Sequence, residues 1–218
     1  MIAEVSAHET VRRLEYTWAF NAWAARAWNA SNPVALASAP AFVREATDRL
    51  PDVRVLPLTR SAREAAAAAG VPVVSGDSAG SWGSALWATP PVGSWQTQLE
   101  LAAARLPQGA PFFVLATARL GWLLGGWRAA LSGDEAGAAA LLLGGKLGAL
   151  GAAGFRVREV VGLRSPASLA ASLAAGIAAR AGRSDVADRL EQRARVSFVA
   201  TGAAAGWSGM VLLEAERQ

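Results

Sequence analysis

GVPVVSGDSAGSWGSALWATPPVGSWQTQLELAAARLPQGAPFFVLATARL, residues 70–120, is the stretch whose reading decides the fold. The apolar run VPVV ending in Gly76-Asp77 predicts a strand, and SALWATPP predicts a second one carrying Trp87. Ser94 then stands as a helix cap before Trp95, Leu99, Ala103 and Leu106, which share one stripe, and Pro107-Gln108-Gly109 stops that helix. PFFVLAT is apolar throughout, as a strand covered on both faces must be. Strands alternating with helices build an open α/β sheet, and this stretch reads as its middle. Ligands of such sheets sit outside the carboxyl ends of the strands, so Asp77, Thr89 and Thr117 border the expected site.

The same alternation continues towards both ends of the chain. Upstream, PVALAS and VRVLPL read as two strands, with a helix between them on which Phe42, Ala46 and Leu50 recur at helical spacing. Thr59 or Ser61 can cap the alanine-rich helix that ends at Gly70. Residues 8–29 form a helix that is apolar on two sides: Val11, Leu14 and Trp18 on one, Tyr16, Phe20 and Trp23 on the other. Asn32-Pro33 ends it and divides the chain into an aromatic N-terminal helix, 1–32, and an α/β domain, 33–218.

Downstream, a helix is expected from about Asp134 to Leu150, bent near Gly144-Gly145. FRVREVVGL is a strand with Phe155, Val157, Glu159 and Val161 facing one way, Glu159 being matched by Arg156, Arg158 or Arg164. Ser165-Pro166 opens a helix carrying Leu169, Leu173 and Ile177, and Gly182 ends it. A charged helix over residues 185–195, with Asp185 and Arg189 one turn apart, precedes a turn over 201–209 and a last strand, MVLLEAE.

Composition removes several classes of function. With 53% hydrophobic residues and a mean hydropathy of +0.26 the chain is not disordered. The isoelectric point of about 10.8 reflects arginine rather than a large net charge, which is only +4, and acids are interspersed with the bases. A nucleic-acid surface, which needs cations gathered on one face, is not indicated. The absence of cysteine excludes disulfides, thiolate nucleophiles and cysteine-based zinc sites. The single histidine, His8, removes histidine-rich metal sites, and no metal is expected. Ala136–Phe155 contains Lys146 and six glycines, which argues against a transmembrane helix, and the N-terminus has no signal-peptide pattern. A cytoplasmic location is therefore expected.

Taken together, the order of elements resembles the class I S-adenosylmethionine-dependent methyltransferases over residues 33–216. VPVVSGDS is similar to that family's third strand, LELAAARLPQGAPFFVLAT to its leucine-rich helix, turn and fifth strand, and LGALGAAGFRVREVVGL to the passage into its sixth. The resemblance implies a Rossmann-like methyltransferase fold: a mostly parallel seven-stranded sheet with helices on both faces and an additional N-terminal helix. It also implies S-adenosylmethionine at the strand ends, with Ser38, Thr59, Asp77 and Thr89 as the cofactor-binding positions.

The chain departs from the family where the cofactor would be gripped. A glycine-rich loop should follow the first strand, but Ala37, Ser38, Ala39 and Pro40 stand there; an acid should end the second strand, but Thr59 and Arg60 do. A left-handed conformation costs a residue with a Cβ about 1–2 kcal/mol, and Pro40 has no N–H to donate. The expectation is a methyltransferase-fold protein that has lost tight S-adenosylmethionine binding and serves as a binding, structural or regulatory partner. Its N-terminal aromatic helix, or Trp122 and Trp127, would then contact another protein or a second copy. The alternative is an active small-molecule methyltransferase with a divergent pocket. Two further readings are weaker on the residues. Arg60 as a 2′-phosphate ligand lacks the glycine-rich turn a dinucleotide needs. Gly76-Asp77-Ser78-Ala79-Gly80 has the form of a hydrolase elbow but is followed by a strand and has no late histidine.

Overall fold

The computed structural model describes residues 7–27, 30–75, 80–88, 95–121, 123 and 143–218, with side chains of the first helix from Leu14 onward. Its sheet has seven strands: β1 (Pro33–Ala37), β2 (Arg54–Pro57), β3 (Ser84–Ala88), β4 (Pro111–Thr117), β5 (Phe155–Leu163), β6 (Val199–Ala200) and β7 (Met210–Arg217). Their spatial order is β2-β1-β3-β4-β7-β5-β6. β2, β1, β3 and β4 pair in parallel, while β7 is antiparallel to both β4 and β5, so β5 runs with the first four. β6 pairs antiparallel with β5, so β6 and β7 run against the other five strands and the sheet is mixed.

Helices cover both faces. On one face lie α1 (Ala7–Ala27), α2 (Pro40–Arg49) and α3 (Arg60–Ala68), and on the other α4 (Trp95–Arg105) and α5 (Leu143–Ala152). The strands divide their side chains between the two layers at period two. Ala35, Leu86, Phe113 and Leu212 join the first core, and Leu36, Trp87, Val114 and Leu213 the second. β3 and β4, being covered on both faces, are buried almost without interruption, as their unbroken apolar sequence requires.

α1 belongs to the first core rather than standing apart from it. Tyr16, Phe20 and Trp23 are fully buried; Phe20 stacks on Phe42 at 4.8 Å between centroids, and Tyr16 meets the same ring edge-on at 5.3 Å. Trp23 Nε1 donates to Ser84 Oγ at 3.0 Å, so the indole buries no unpaired N–H. Leu14 and Trp18, on the other side of α1, are 39% and 45% exposed.

Three sequence expectations are corrected. VPVV is not a strand in the middle of the sheet: the described part contributes only the bridge Val73–Val55, at the edge beyond β2. Pro72 cannot donate a ladder hydrogen bond, and Val71 and Val74 alone are anchored in the cores. In β5 a bulge between Val157 and Glu159 breaks the alternation. Phe155, Val157 and Val160 therefore pack in one layer and Val161 and Leu163 in the other, while Glu159 is exposed. Arg156 and Arg158 pair instead with Glu216 on β7, and Arg164 with Glu15.

The third correction concerns the helical hairpin of α6 (Pro166–Arg180) and α7 (Ser184–Val196) inserted between β5 and β6. Ser165 caps α6, accepting from Ser168 N, and Pro166 occupies the first turn as expected. The stripe turned inward, however, is Ser168, Ala171, Ala175 and Ala178, whereas Leu173 and Ile177 are 59% and 67% exposed. Small side chains allow the two helices to approach closely, which leucines on that face would prevent. Arg189 donates to the Asp185 backbone carbonyl, not to its carboxylate. Residues 202–207 form a 3-10 helix within the stretch expected as a turn or hairpin loop. Among the described residues no helix is long and apolar enough to cross a membrane.

Candidate functional site at the carboxyl edge

The strand order places the ends of β1, β3 and β4, at Ala37, Ala88 and Thr117, along one edge of the sheet, where the site is expected. The crossover from β1 to α2 is only two residues long, Ser38 and Ala39. Ala39 is extended (φ −129, ψ 141), and Pro40 fills the first turn of α2. No residue of this crossover has a positive φ. The first turn of α2 thus offers one N–H fewer than an ordinary helix start, and its cap makes no side-chain hydrogen bond.

Ser38 and Thr59, both expected at the site, are brought together, and the contact uses up the Thr59 hydroxyl. Thr59 Oγ1 donates to the Ser38 carbonyl at 2.9 Å and accepts from Ala62 N at 3.2 Å as the cap of α3. Next to it, Leu58 N donates to Ala37 O at 2.8 Å. These bonds tie the end of β1 to the start of α3. The Ser38 hydroxyl, by contrast, is buried at its oxygen and has no hydrogen-bond partner. Arg60 pairs with Glu64 at 2.8 Å on the exposed start of α3, where it acts as a surface residue. Asp77 and Thr89 lie outside the described residues, as do Ser94, Trp122 and Trp127.

Further along the edge, the end of β4 is pinned to the start of β7. Ala118 N donates to Gly209 O and Leu120 N to Ser208 O, and the Arg119 guanidinium lies 4.2 Å from the centre of the Trp207 ring. Beyond β7, Arg164 adopts φ +57, and its carbonyl accepts from Gly209 N. A Cβ on Gly209 would run into the Arg164 guanidinium, so glycine is what lets this arginine approach the buried Glu15 of α1, 3.3 Å away. Sequence reading missed this pair because its members are 149 positions apart and nothing local joins them.

A second polar group escaped notice for the opposite reason: its neighbours in sequence are all apolar or glycine. Lys146 lies one turn into α5, is 2% exposed, and its Nζ has no hydrogen-bond partner. Burial lowers its pKa from 10.5 to about 8. The available signal was that Lys146 is the only lysine in a chain whose other bases are arginine. A polar cleft of about 490 Å³, lined by Gln108, Gly109, Arg156, Glu216, Arg217 and Gln218, opens at the opposite edge of the sheet. Among the described residues no three histidine, aspartate or glutamate side chains gather as a metal site.

No family model matches the chain, and no curated protein does. Solved structures do. An S-adenosylmethionine-dependent methyltransferase from Thermotoga maritima, described as a possible histamine N-methyltransferase, superposes with a TM-score of 0.60 at 14% identity, covering 96% of this chain and 90% of that one. Geranyl diphosphate C-methyltransferase from Streptomyces coelicolor gives 0.56 at 12% identity, covering 99% and 86%. The [4+2]-cyclase SpnF gives 0.52 at 15% identity, covering 98% and 84%. At these identities the likeness is one of fold, and the chain has the fold of the class I S-adenosylmethionine-dependent methyltransferases.

Proposed function

We propose that this protein keeps the methyltransferase fold without tight binding of S-adenosylmethionine and acts as a binding, structural or regulatory partner. The observation that carries this reading is the β1-to-α2 crossover: two residues, no positive φ, and proline in the first turn of α2. The methionine part of the cofactor needs a backbone of positive φ and a full set of N–H groups at the helix start, and this crossover has no positive φ and one N–H fewer. Thr59 does not substitute for a ribose-binding acid, because its hydroxyl already serves Ser38 and Ala62. A partner would meet the Leu14 and Trp18 side of α1, which the fold leaves exposed while Tyr16, Phe20 and Trp23 are buried.

Fold likeness does not argue for catalysis in its own right, since the similar structures include a protein described as a cyclase. A second reading, an active small-molecule methyltransferase with a divergent pocket, draws on one observation: the unpartnered, buried Ser38 hydroxyl is a hydrogen-bonding group awaiting a ligand at the edge where a methyl donor would lie. Titration calorimetry with S-adenosylmethionine and S-adenosylhomocysteine separates the two. No saturable heat at millimolar ligand is the expected result. Saturable micromolar binding of either would overturn the first reading and leave the second.

A further inference from the structure

The polar cleft at the opposite edge of the sheet is walled entirely by polar residues and glycine, and part of their hydrogen-bonding capacity is unused. It opens beside the turn after α4 and the adjoining ends of β7 and β5, where Glu216 stands in register with Pro111 and Arg156. The main chain there is closed: Gly109 N donates to Arg217 O, Arg217 N to Ala110 O and Gln218 N to Gly154 O. The Arg217 guanidinium is committed as well, donating to Ala103 O and Gly154 O at 3.1 and 2.9 Å. What the cleft offers a ligand is therefore the side chains of Arg156 and Glu216 and the carboxamides of Gln108 and Gln218.

Both arginines that pair with Glu216 reach the same oxygen. Arg158 Nη2 is in close contact with Oε2, whereas Arg156 Nη2 stands 3.8 Å from it and its side chain is 60% exposed. Arg158 balances the Glu216 charge, and Arg156 is left with a guanidinium held only at the outer limit of an ion pair. Oε1 is turned towards Gly109, 3.9 Å from where a Cβ on that residue would stand, and makes no ion pair among the described residues. The cleft thus holds an under-used cation beside an under-used carboxylate oxygen. A simple anion would meet Oε1 and a simple cation would meet Arg156, so each is repelled by one of the two. A molecule with both charges a few ångströms apart satisfies both. We propose that this cleft binds a free α-amino acid with a neutral polar side chain, its carboxylate on Arg156, its ammonium on Glu216 Oε1 and its side chain between the carboxamides of Gln108 and Gln218. Carboxamides both donate and accept, and no apolar side chain lines the cleft to favour an aliphatic one. The volume of about 490 Å³ lies within the range of small-molecule sites. The cleft is at the edge away from the methyl-donor crevice, and the inference stands whether or not S-adenosylmethionine binds.

The Gly109 amide lies in the wall of the cleft, so its resonance in an assigned amide spectrum of the intact protein reports occupancy there. The probes are L-glutamine, N-acetyl-L-glutamine, which lacks the ammonium, L-glutaminamide, which lacks the carboxylate, and L-leucine, which lacks the polar side chain. L-glutamine is expected to shift the Gly109 signal saturably at millimolar concentration. Each of the two blocked derivatives should bind at least about ten-fold more weakly, and L-leucine about three-fold or more. Arg156→Gln, which alters an exposed side chain, should abolish the preference for glutamine over glutaminamide while the rest of the amide spectrum stays in place. Glu216→Gln should abolish the preference over the N-acetyl derivative; if that variant does not fold, Arg156→Gln decides alone. A Gly109 signal that does not respond, equal binding of a blocked derivative or of leucine, or a preference over glutaminamide that survives Arg156→Gln would each overturn the assignment.

Discussion

Replacing Lys146 with methionine should make the protein more stable, and the gain should depend on pH in a defined direction. The side chain is 2% exposed and unpartnered, and its pKa is about 8 when folded against 10.5 when solvated. Below pH 8 both states carry the proton, and the folded state bears the full penalty of a charge held out of water. A difference of 2.5 pH units corresponds to about 3 kcal/mol. Between pH 8 and 10.5 the unfolded chain binds more protons than the folded one, so wild-type stability rises with pH and the penalty disappears. Methionine has nearly the length of lysine and no charge, so Lys146→Met should be more stable by roughly 1–3 kcal/mol at pH 7. Urea unfolding of both proteins at neutral pH and near pH 10 measures this, with a midpoint shift of up to about 1 M at pH 7 and a smaller one at high pH. A variant no more stable than wild type at pH 7, or a difference that does not shrink as pH rises, would refute the reasoning.

The other structural contacts make equally direct predictions. Gly209→Ala should push the Arg164 guanidinium away from Glu15 and lower stability by about 1–3 kcal/mol; in a double-mutant cycle with Glu15→Gln the two losses should fall well short of additive, and full additivity in chemical denaturation would disconnect Gly209 from the pair. Thr59→Val removes both the cap of α3 and the bond to the Ser38 carbonyl, for an expected loss of about 1–2 kcal/mol, whereas Thr59→Ser should retain most of it; equal losses in thermal unfolding would show that the hydroxyl is not the cause. In the helical hairpin, Leu173→Gln should change monomer stability by no more than about 0.5 kcal/mol, while Ala175→Leu should destabilise by about 1–3 kcal/mol through overpacking. The reverse ranking would mean that the leucine stripe, not the alanine stripe, faces inward.

Much of the architecture was open to reading from local pattern. Strands such as PVALA and PFFVLAT announce themselves because both faces are buried and every position must be apolar. Helix starts at Thr59 and Ser165-Pro166, and the stop at Gly182 (φ +71), follow from hydrogen-bonding and backbone preferences that act within a few residues. Periodicity failed where one residue was inserted or where size outweighed hydrophobicity. The β5 bulge sends Glu159 to solvent and Val161 to the opposite core, and the α6–α7 packing prefers alanine to leucine on its inner face. At the expected site, Ser38 and Thr59 come together through a hydrogen bond. What the sequence did not disclose was that Thr59 would be occupied by the Ser38 carbonyl.

The sequence by itself determined the alternation of strands and helices, the glycine-free stretch Ala37-Ser38-Ala39-Pro40 after β1, and the classes of chemistry that one histidine and no cysteine exclude. These are properties of composition and of neighbours along the chain, where backbone preference and side-chain period act. Only the tertiary structure decided which polar groups are satisfied. Glu15 meets Arg164, Trp23 finds Ser84, and Lys146 Nζ and Trp87 Nε1 are buried without partners. Satisfaction of a buried group depends on atoms brought together from distant segments, and its energetic weight comes from the exclusion of water, which exists only once the core has formed.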